Sequence, residues 1–144
     1  MHLSSSNVPH PCLRLSTDAR LIRSQLVASA SNRAAFIKSL MDFMPKYGFQ
    51  GVDLDWEYPV AEDRGGSPDD TQNLVLLVKE MRAAFGSTYG ISLTLAPDYW
   101  YLRYFDAKAM ESSVGFFGFM AYGELIPDFS CFAELSPIAR SIAD

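Results

Sequence analysis

The sequence predicts an α/β fold in which parallel strands form part of a barrel, and three observations support this prediction. Strand-like and helix-like segments alternate along the middle of the chain, which is the order of parallel βα units. The predicted strands share one apolar face and one polar face. The chain has 144 residues, whereas a complete eight-stranded barrel of this kind takes about 250. We therefore expect a partial barrel.

Three segments are predicted to be strands, at about residues 51–56, 91–96 and 115–122. Along each of them apolar residues alternate with small or polar ones, so the two sets point to opposite faces. The apolar set is expected to lie under the helices and the polar set inside the barrel, because an open doubly wound sheet would bury apolar residues on both faces. The predicted inner face comprises Gly51, Asp53, Asp55, Glu57, Ser92, Thr94, Ala96, Gly118, Met120 and Tyr122.

A first helix is predicted from about Ser31, because apolar residues recur at helical spacing between residues 36 and 44. Ser31 or Asn32 is the expected N-cap, and Gly48 suits the position just past the end. Pro45 is expected to end or kink the last turn.

A second helix is predicted after Ser67, which is a favourable N-cap. Pro68 occupies the first helical position, and Asp70 has the spacing of a capping box. Gly86 is expected to end this helix. The segment from residue 104 to 112 is short and only weakly periodic, so it predicts at most a short helix.

Bulk composition excludes several classes of function. The chain is 49% hydrophobic with a net charge of −5, so it offers no basic surface to a nucleic acid. No apolar run reaches the roughly 18 residues of a membrane span, and the N-terminus has no signal-peptide pattern. Cys12 and Cys131 are too few for a zinc cluster or a disulfide framework. Their pairing and two free thiols both stay open.

Asp53, Asp55 and Glu57 form a row of carboxylates on the polar face. Alternate residues of a strand lie about 6.6 Å apart. At about 7 Å and an effective dielectric constant near 20, each adjacent ionised pair costs about 2.4 kcal/mol. Since positions 49–61 hold no basic residue and Arg64 is the nearest, the row is expected to keep at least one proton, as acid–base catalysis requires. A magnesium or calcium site and a structural or binding role remain alternatives.

The same strand resembles the fourth-strand signature of glycoside hydrolase family 18, the chitinases and their relatives. The matching motif is Gly51-x-Asp53-x-Asp55-Trp56-Glu57-Tyr58-Pro59. Residues 93–97 resemble the family's fifth strand and residues 119–122 its sixth, while the flanking segments 31–37 and 63–66 are most similar to fungal members. The resemblance implies a partial (β/α)8 TIM barrel that contains roughly strands four to six with their helices.

The resemblance also implies a role for each matching residue. Glu57 would be the general acid, and Asp55 would stabilise the substrate's own acetamido group as it attacks the anomeric carbon. Asp53 would lie behind Asp55 and tune its charge. Tyr122 would donate a hydrogen bond to the acetamido oxygen, and Met120 would line the site.

Chitin or its oligosaccharides are the implied partners, and no cofactor, metal, nucleic acid or membrane is expected. Tyr58 and Trp100 are the candidates for stacking on sugar rings. The implied reaction is hydrolysis of β-1,4-linked N-acetylglucosamine polymers with retention of configuration, in an extracellular location. The alternative is an inactive carbohydrate-binding relative or a non-functional fragment. Gly123 favours that alternative, because it stands where the family usually has an acetamido-binding Asp.

The chain is expected to divide into three parts. Residues 1–25 are predicted to be irregular and lack the Gly-Gly motif of the family's third strand, and residues 26–123 are predicted to be the partial catalytic barrel. Residues 124–144 diverge from the family pattern. A truncated barrel would leave two sheet edges bare, so self-association through those edges is a further expectation.

Overall fold

The computed structural model describes residues 11–16 and 24–121. The predictions for Tyr122, Gly123 and Cys131 lie outside these residues. Strands and helices alternate, and a 3₁₀ turn at Glu62–Arg64 follows the second strand. In chain order the elements are β1 (Cys12–Ser16), α1 (Ser24–Ala28), α2 (Ala30–Tyr47), β2 (Gly51–Asp55), α3 (Asp70–Phe85), β3 (Gly90–Leu95), α4 (Tyr99–Leu102), α5 (Ala107–Met110) and β4 (Phe116–Phe119).

In the described part of the chain, the strands form a single four-stranded parallel sheet in the order β1-β2-β3-β4. Its register places Asp53 opposite both Arg14 on β1 and Ser92 on β3. On the far side of β3, Thr94 lies opposite Gly118 of β4. Each strand is therefore the neighbour of the next one in sequence, as the predicted βα units require.

The strand β1 corrects the prediction that residues 1–25 are irregular. Leu15 is 4% exposed, and the strand pairs along its whole length with β2. The pairing continues just before the strand, where the amide of Gln50 donates to the carbonyl of Pro11 at 2.9 Å. The residues of β1 alternate as those of β2 do, with Leu13 and Leu15 on one face, but no predicted helix or strand adjoins them in the sequence, so the strand was not assigned. The sheet thus has one strand more than the three predicted.

The apolar face of the sheet lies under the helices, as predicted. Val52 and Leu54 of β2 are completely buried, and Ile91 and Leu93 of β3 are at most 2% exposed. Helices α2 and α3 cover this face. Their fully or nearly fully buried core side chains are Leu40, Met44, Leu74, Val75, Leu77, Val78, Met81 and Phe85.

The predicted C-terminal ends of the helices agree with the structure better than the predicted N-terminal ends. Gly48 ends α2 in the left-handed conformation with φ 75°, and Gly86 follows α3. Helix α2 begins at Ala30 after Ser29, before the predicted caps, because α1 ends at Ala28 and leads directly into it. Pro45 does not end the helix, which continues to Tyr47. No helix in the ranges 24–28 and 30–121 is long and apolar enough to cross a membrane.

Candidate active site

The carboxylate of Asp53 is held on the polar face by two hydroxyl groups of the neighbouring strand. Ser92 Oγ donates to Asp53 Oδ1 at 2.7 Å, and Thr94 Oγ1 donates to Asp53 Oδ2 at 3.0 Å. Both hydroxyls reach the same carboxylate because Ser92 lies opposite Asp53 in the register and Thr94 is the next residue on that face. The predicted polar face is therefore a hydrogen-bonded surface between β2 and β3.

The carboxylate of Asp55 pairs with an arginine that the sequence reasoning missed. Arg14 Nη2 lies 2.6 Å from Asp55 Oδ2, and Arg14 Nε donates to the same oxygen at 3.0 Å. The Nε atom is also 3.9 Å from Asp53 Oδ2. Asp55 is only 2% exposed, so the guanidinium compensates a charge that water hardly reaches.

The sequence reasoning found no basic residue next to the carboxylate row. It considered only residues close in sequence, whereas Arg14 reaches Asp55 across the β1–β2 pairing. Within the described residues, Asp55 Oδ1 is buried and has no hydrogen-bond partner. Arg14 therefore places a positive charge beside both aspartates, which offsets part of the repulsion between them.

Glu57 lies two residues past the end of β2, at the start of a turn that runs to Val60. Its side chain is partly buried, and the peptide bond between Glu57 and Tyr58 is cis. Val60 has φ 63°, a left-handed conformation that is costly for a β-branched residue. Further interactions must hold this turn in place.

Asp70 supplies those interactions. Its Oδ2 atom accepts hydrogen bonds from the amide of Val60 at 3.1 Å, the amide of Ser67 at 2.8 Å and the hydroxyl of Ser24 at 2.7 Å. The bond to Ser67 is the carboxylate half of the predicted capping box, although α3 itself begins at Asp70. Asp70 is completely buried and joins α1, α3 and the turn after Glu57.

A close backbone approach shapes the same loop. A Cβ atom on Gly66 would lie 2.5 Å from the amide nitrogen of Ala61 and 2.6 Å from the carbonyl carbon of Val60. The amide of Gly66 donates to the carbonyl of Ala61 at 2.8 Å. Only glycine fits at this position, where the loop folds back against the turn that carries Glu57.

Tyr58 is buried next to the carboxylates. Its ring stacks on Tyr101 with centroids 4.3 Å apart, and the Tyr101 hydroxyl donates to Asp63 Oδ2 at 3.1 Å. Burial raises the pKa of Tyr58, and the negative charges of Glu57 and Asp98 raise it further. The phenol therefore stays protonated and lies within the electrostatic reach of the Glu57 carboxylate.

The other predicted substrate-binding residues lie in different surroundings. Trp100 is 63% exposed on α4, with the guanidinium of Arg103 4.2 Å from its ring centre. Met120 is buried directly after β4, where its amide donates to the carbonyl of Leu95 at 3.4 Å. In residues 11–16 and 24–121, no group of three His, Cys, Asp or Glu side chains could hold a metal ion.

A family model now identifies the fold around these carboxylates. The model of the family 18 glycosyl hydrolases matches residues 23–134, which is more than half of the chain. The chain belongs to glycoside hydrolase family 18. The match extends beyond residue 123, where the sequence was expected to diverge, and it begins downstream of β1.

Individual family 18 proteins show the same likeness. The chain is 53% identical to an endochitinase of Manduca sexta over 62 residues, which are 43% of this chain and 11% of that protein. It is 37% identical to a probable chitinase of Penicillium expansum over 98 residues, which are 65% of this chain and 9% of the relative. Since both insect and fungal proteins match, the likeness does not single out the fungal type.

Solved family 18 structures confirm the partial barrel. Catalytic domain 2 of the group II chitinase of Ostrinia furnacalis superposes with a TM-score of 0.65 and is 34% identical. The superposition covers 69% of this chain and 27% of that chain. Another structure of the domain, a mutant, is a complex with penta-N-acetylchitooctaose. The chain thus spans about a quarter of the solved domain.

Proposed function

We propose that the polar face of this sheet belongs to the active site of a hydrolase of β-1,4-linked N-acetylglucosamine polymers. The observation that carries the proposal is the row of Asp53, Asp55 and Glu57 on β2 and the turn after it, in a family 18 fold. The chain covers only 11% of the Manduca sexta endochitinase and 27% of the Ostrinia chain. The hydrolytic activity of those longer proteins is therefore extended to this chain as a proposal.

Glu57 is the general acid of this proposal. It lies just past the carboxyl end of β2, where the active sites of parallel barrels are found. Its proton passes to the glycosidic oxygen as the bond to the anomeric carbon breaks, which makes the departing sugar a neutral alcohol. Later the resulting carboxylate takes a proton from the attacking water.

Asp55 stabilises the acetamido group that acts as the nucleophile. The acetamido oxygen attacks the anomeric carbon, and the positive charge that develops on this group lies beside the Asp55 carboxylate. Asp53 supports this arrangement, because Ser92 and Thr94 fix both of its oxygens. The orientation of the two aspartates is therefore fixed by hydrogen bonds before substrate binds.

The substrate class follows from the same chemistry. A nucleophilic acetamido group requires an N-acetylated sugar, and the related Ostrinia domain was solved with penta-N-acetylchitooctaose. In this proposal Tyr58 and Met120 line the site, and the Tyr122 hydroxyl donates a hydrogen bond to the acetamido oxygen. The exposed ring of Trp100 stacks on a sugar further from the bond that breaks. Chitin is a structural polymer outside cells, which supports an extracellular location.

Hydrolysis of fluorogenic chitobioside and chitotrioside by the full chain tests the proposal. Glu57→Gln keeps the shape of the side chain and removes the transferable proton, so turnover should fall by about 100-fold or more. Glu111→Gln is the matched control, because Glu111 lies in an exposed pair with Lys108 and its loss should leave turnover unchanged. Absence of turnover in a folded sample, or full activity of Glu57→Gln, would overturn the proposed function.

A further inference from the structure

The ion pair between Arg14 and Asp55 is not explained by the family pattern. Arg14 lies upstream of residues 23–134, which the family model matches, and it joins the polar face only through β1. Its two hydrogen bonds to Asp55 go to a single oxygen, Oδ2, and its Nε atom also lies 3.9 Å from Asp53 Oδ2. The other oxygen, Oδ1, is buried without a partner among the described residues.

These two observations together point to a ligand. A buried carboxylate oxygen without a hydrogen bond is costly, since it has lost water and gained nothing in exchange. With Arg14 on Oδ2, the carboxylate has one defined oxygen left to accept a bond. The matching ligand group is a neutral N–H donor, because Arg14 already balances the charge of Asp55.

We propose that Arg14 is a positioning and specificity-determining residue, which holds Asp55 Oδ2 and leaves Oδ1 to accept the N–H of an acetamido group. The inference rests on the proposed function, which already requires an N-acetylated sugar, and assigns Arg14 a part in that selectivity. A glucosamine unit carries an ammonium group, which Arg14 repels and the carboxylate row attracts. Removing Arg14 leaves the carboxylates uncompensated, so the row should then favour the ammonium sugar.

Calorimetric binding of two trimers to the full chain at pH 6 tests this inference. The trimers are triacetylchitotriose and its fully deacetylated counterpart, and the measured quantity is the ratio of their affinities. Arg14→Met should lower the ratio of acetylated to deacetylated affinity by about tenfold or more. Arg14→Lys keeps the positive charge, so its affinity ratio should lie between those of the unsubstituted chain and Arg14→Met. A purely structural role of Arg14 would not require this order.

Lys38→Met is the matched control, because it removes one cation from an exposed pair with Asp42 and should leave the ratio unchanged. A normal ratio in Arg14→Met, with binding intact, would overturn this inference alone. No binding of either trimer by the unsubstituted chain would overturn the proposed function and, with it, the inference.

If Arg14→Met does not fold, a double-mutant cycle with Arg14→Lys and Asp55→Asn tests the same inference. The two changes should be strongly non-additive in the acetylated-trimer affinity, since both act on one carboxylate. Additive effects would contradict the positioning role of Arg14.

Discussion

The two faces of the four-stranded sheet differ in what holds their side chains. On the outer face, Leu54 and Leu93 are completely buried among other apolar groups. Stability there depends on how fully the side chains fill the core. On the inner face, Asp53 and Asp55 are fixed by directed bonds from Ser92, Thr94 and Arg14. The same strands therefore provide stability on one side and chemistry on the other, and substitutions should separate the two.

The largest expected effect is on the outer face. Leu54→Ala leaves a cavity between β2 and the helices, and it should lower the free energy of unfolding by about 2–5 kcal/mol. Chemical denaturation measures this change. Leu76→Ala on α3 is the control, because Leu76 is 37% exposed and its truncation should cost far less. Equal losses in the two variants would show that Leu54 is not part of a packed core.

On the inner face, the expected loss is in activity. Asp55→Asn removes the charge that stabilises the acetamido group, so turnover should fall by about 100-fold or more. Turnover of the fluorogenic chitobioside measures it, with circular dichroism to confirm folding. Asp42→Asn, in an exposed pair with Lys38, should be harmless. Unchanged turnover in Asp55→Asn would require a different mechanism.

Asp70 connects the two faces, because it holds the turn after Glu57 to α3 and α1. Asp70→Ala leaves the amides of Val60 and Ser67 and the hydroxyl of Ser24 without their acceptor. The free energy of unfolding should fall by about 2–3 kcal/mol, and turnover should fall with it.

Asp69→Ala is the matched control, since Asp69 is exposed and its side chain makes no capping hydrogen bond. Denaturation and turnover are measured for both variants. Stable and active Asp70→Ala protein would contradict the role of Asp70 in positioning the turn.

The smallest expected effect concerns Cys12, a free thiol on the inner face of β1. Partial burial raises the pKa of Cys12, the Asp53 carboxylate raises it further, and a hydrogen bond with Ser92 offsets part of the increase. Asp53→Asn removes that negative charge and should lower the pKa of the thiol.

At pH 8 more thiolate should then be present, and alkylation by iodoacetamide should be roughly two- to threefold faster. The rates are compared in a Cys131→Ser background, so that only Cys12 reacts. A slower reaction in Asp53→Asn would contradict the assigned electrostatic contact.

Much of this arrangement was predictable from the sequence. The alternation of β2 and β3 assigned Asp53, Asp55, Ser92 and Thr94 to one face, because a strand has a period of two. The spacing of Ser67 and Asp70 predicted the interaction between them. Both are local patterns, and local patterns determine which way side chains point.

The rest depends on contacts between distant parts of the chain. The strand β1 stands apart from the predicted βα units in the sequence, and its place in the sheet follows from its pairing with β2. The ion pair between Arg14 and Asp55 spans 41 positions and follows from that pairing. In the described residues β1 and β4 are the edges of the sheet, and self-association through them stays a prediction.

The stereochemistry of hydrolysis tests the central claim most directly. Proton NMR of the full chain acting on tetra-N-acetylchitotetraose reports which anomer of the new reducing end forms first. If Glu57 is the acid and the acetamido group the nucleophile, two displacements occur and the β-anomer should appear before mutarotation. Initial formation of the α-anomer would show a single displacement by water and would contradict the account.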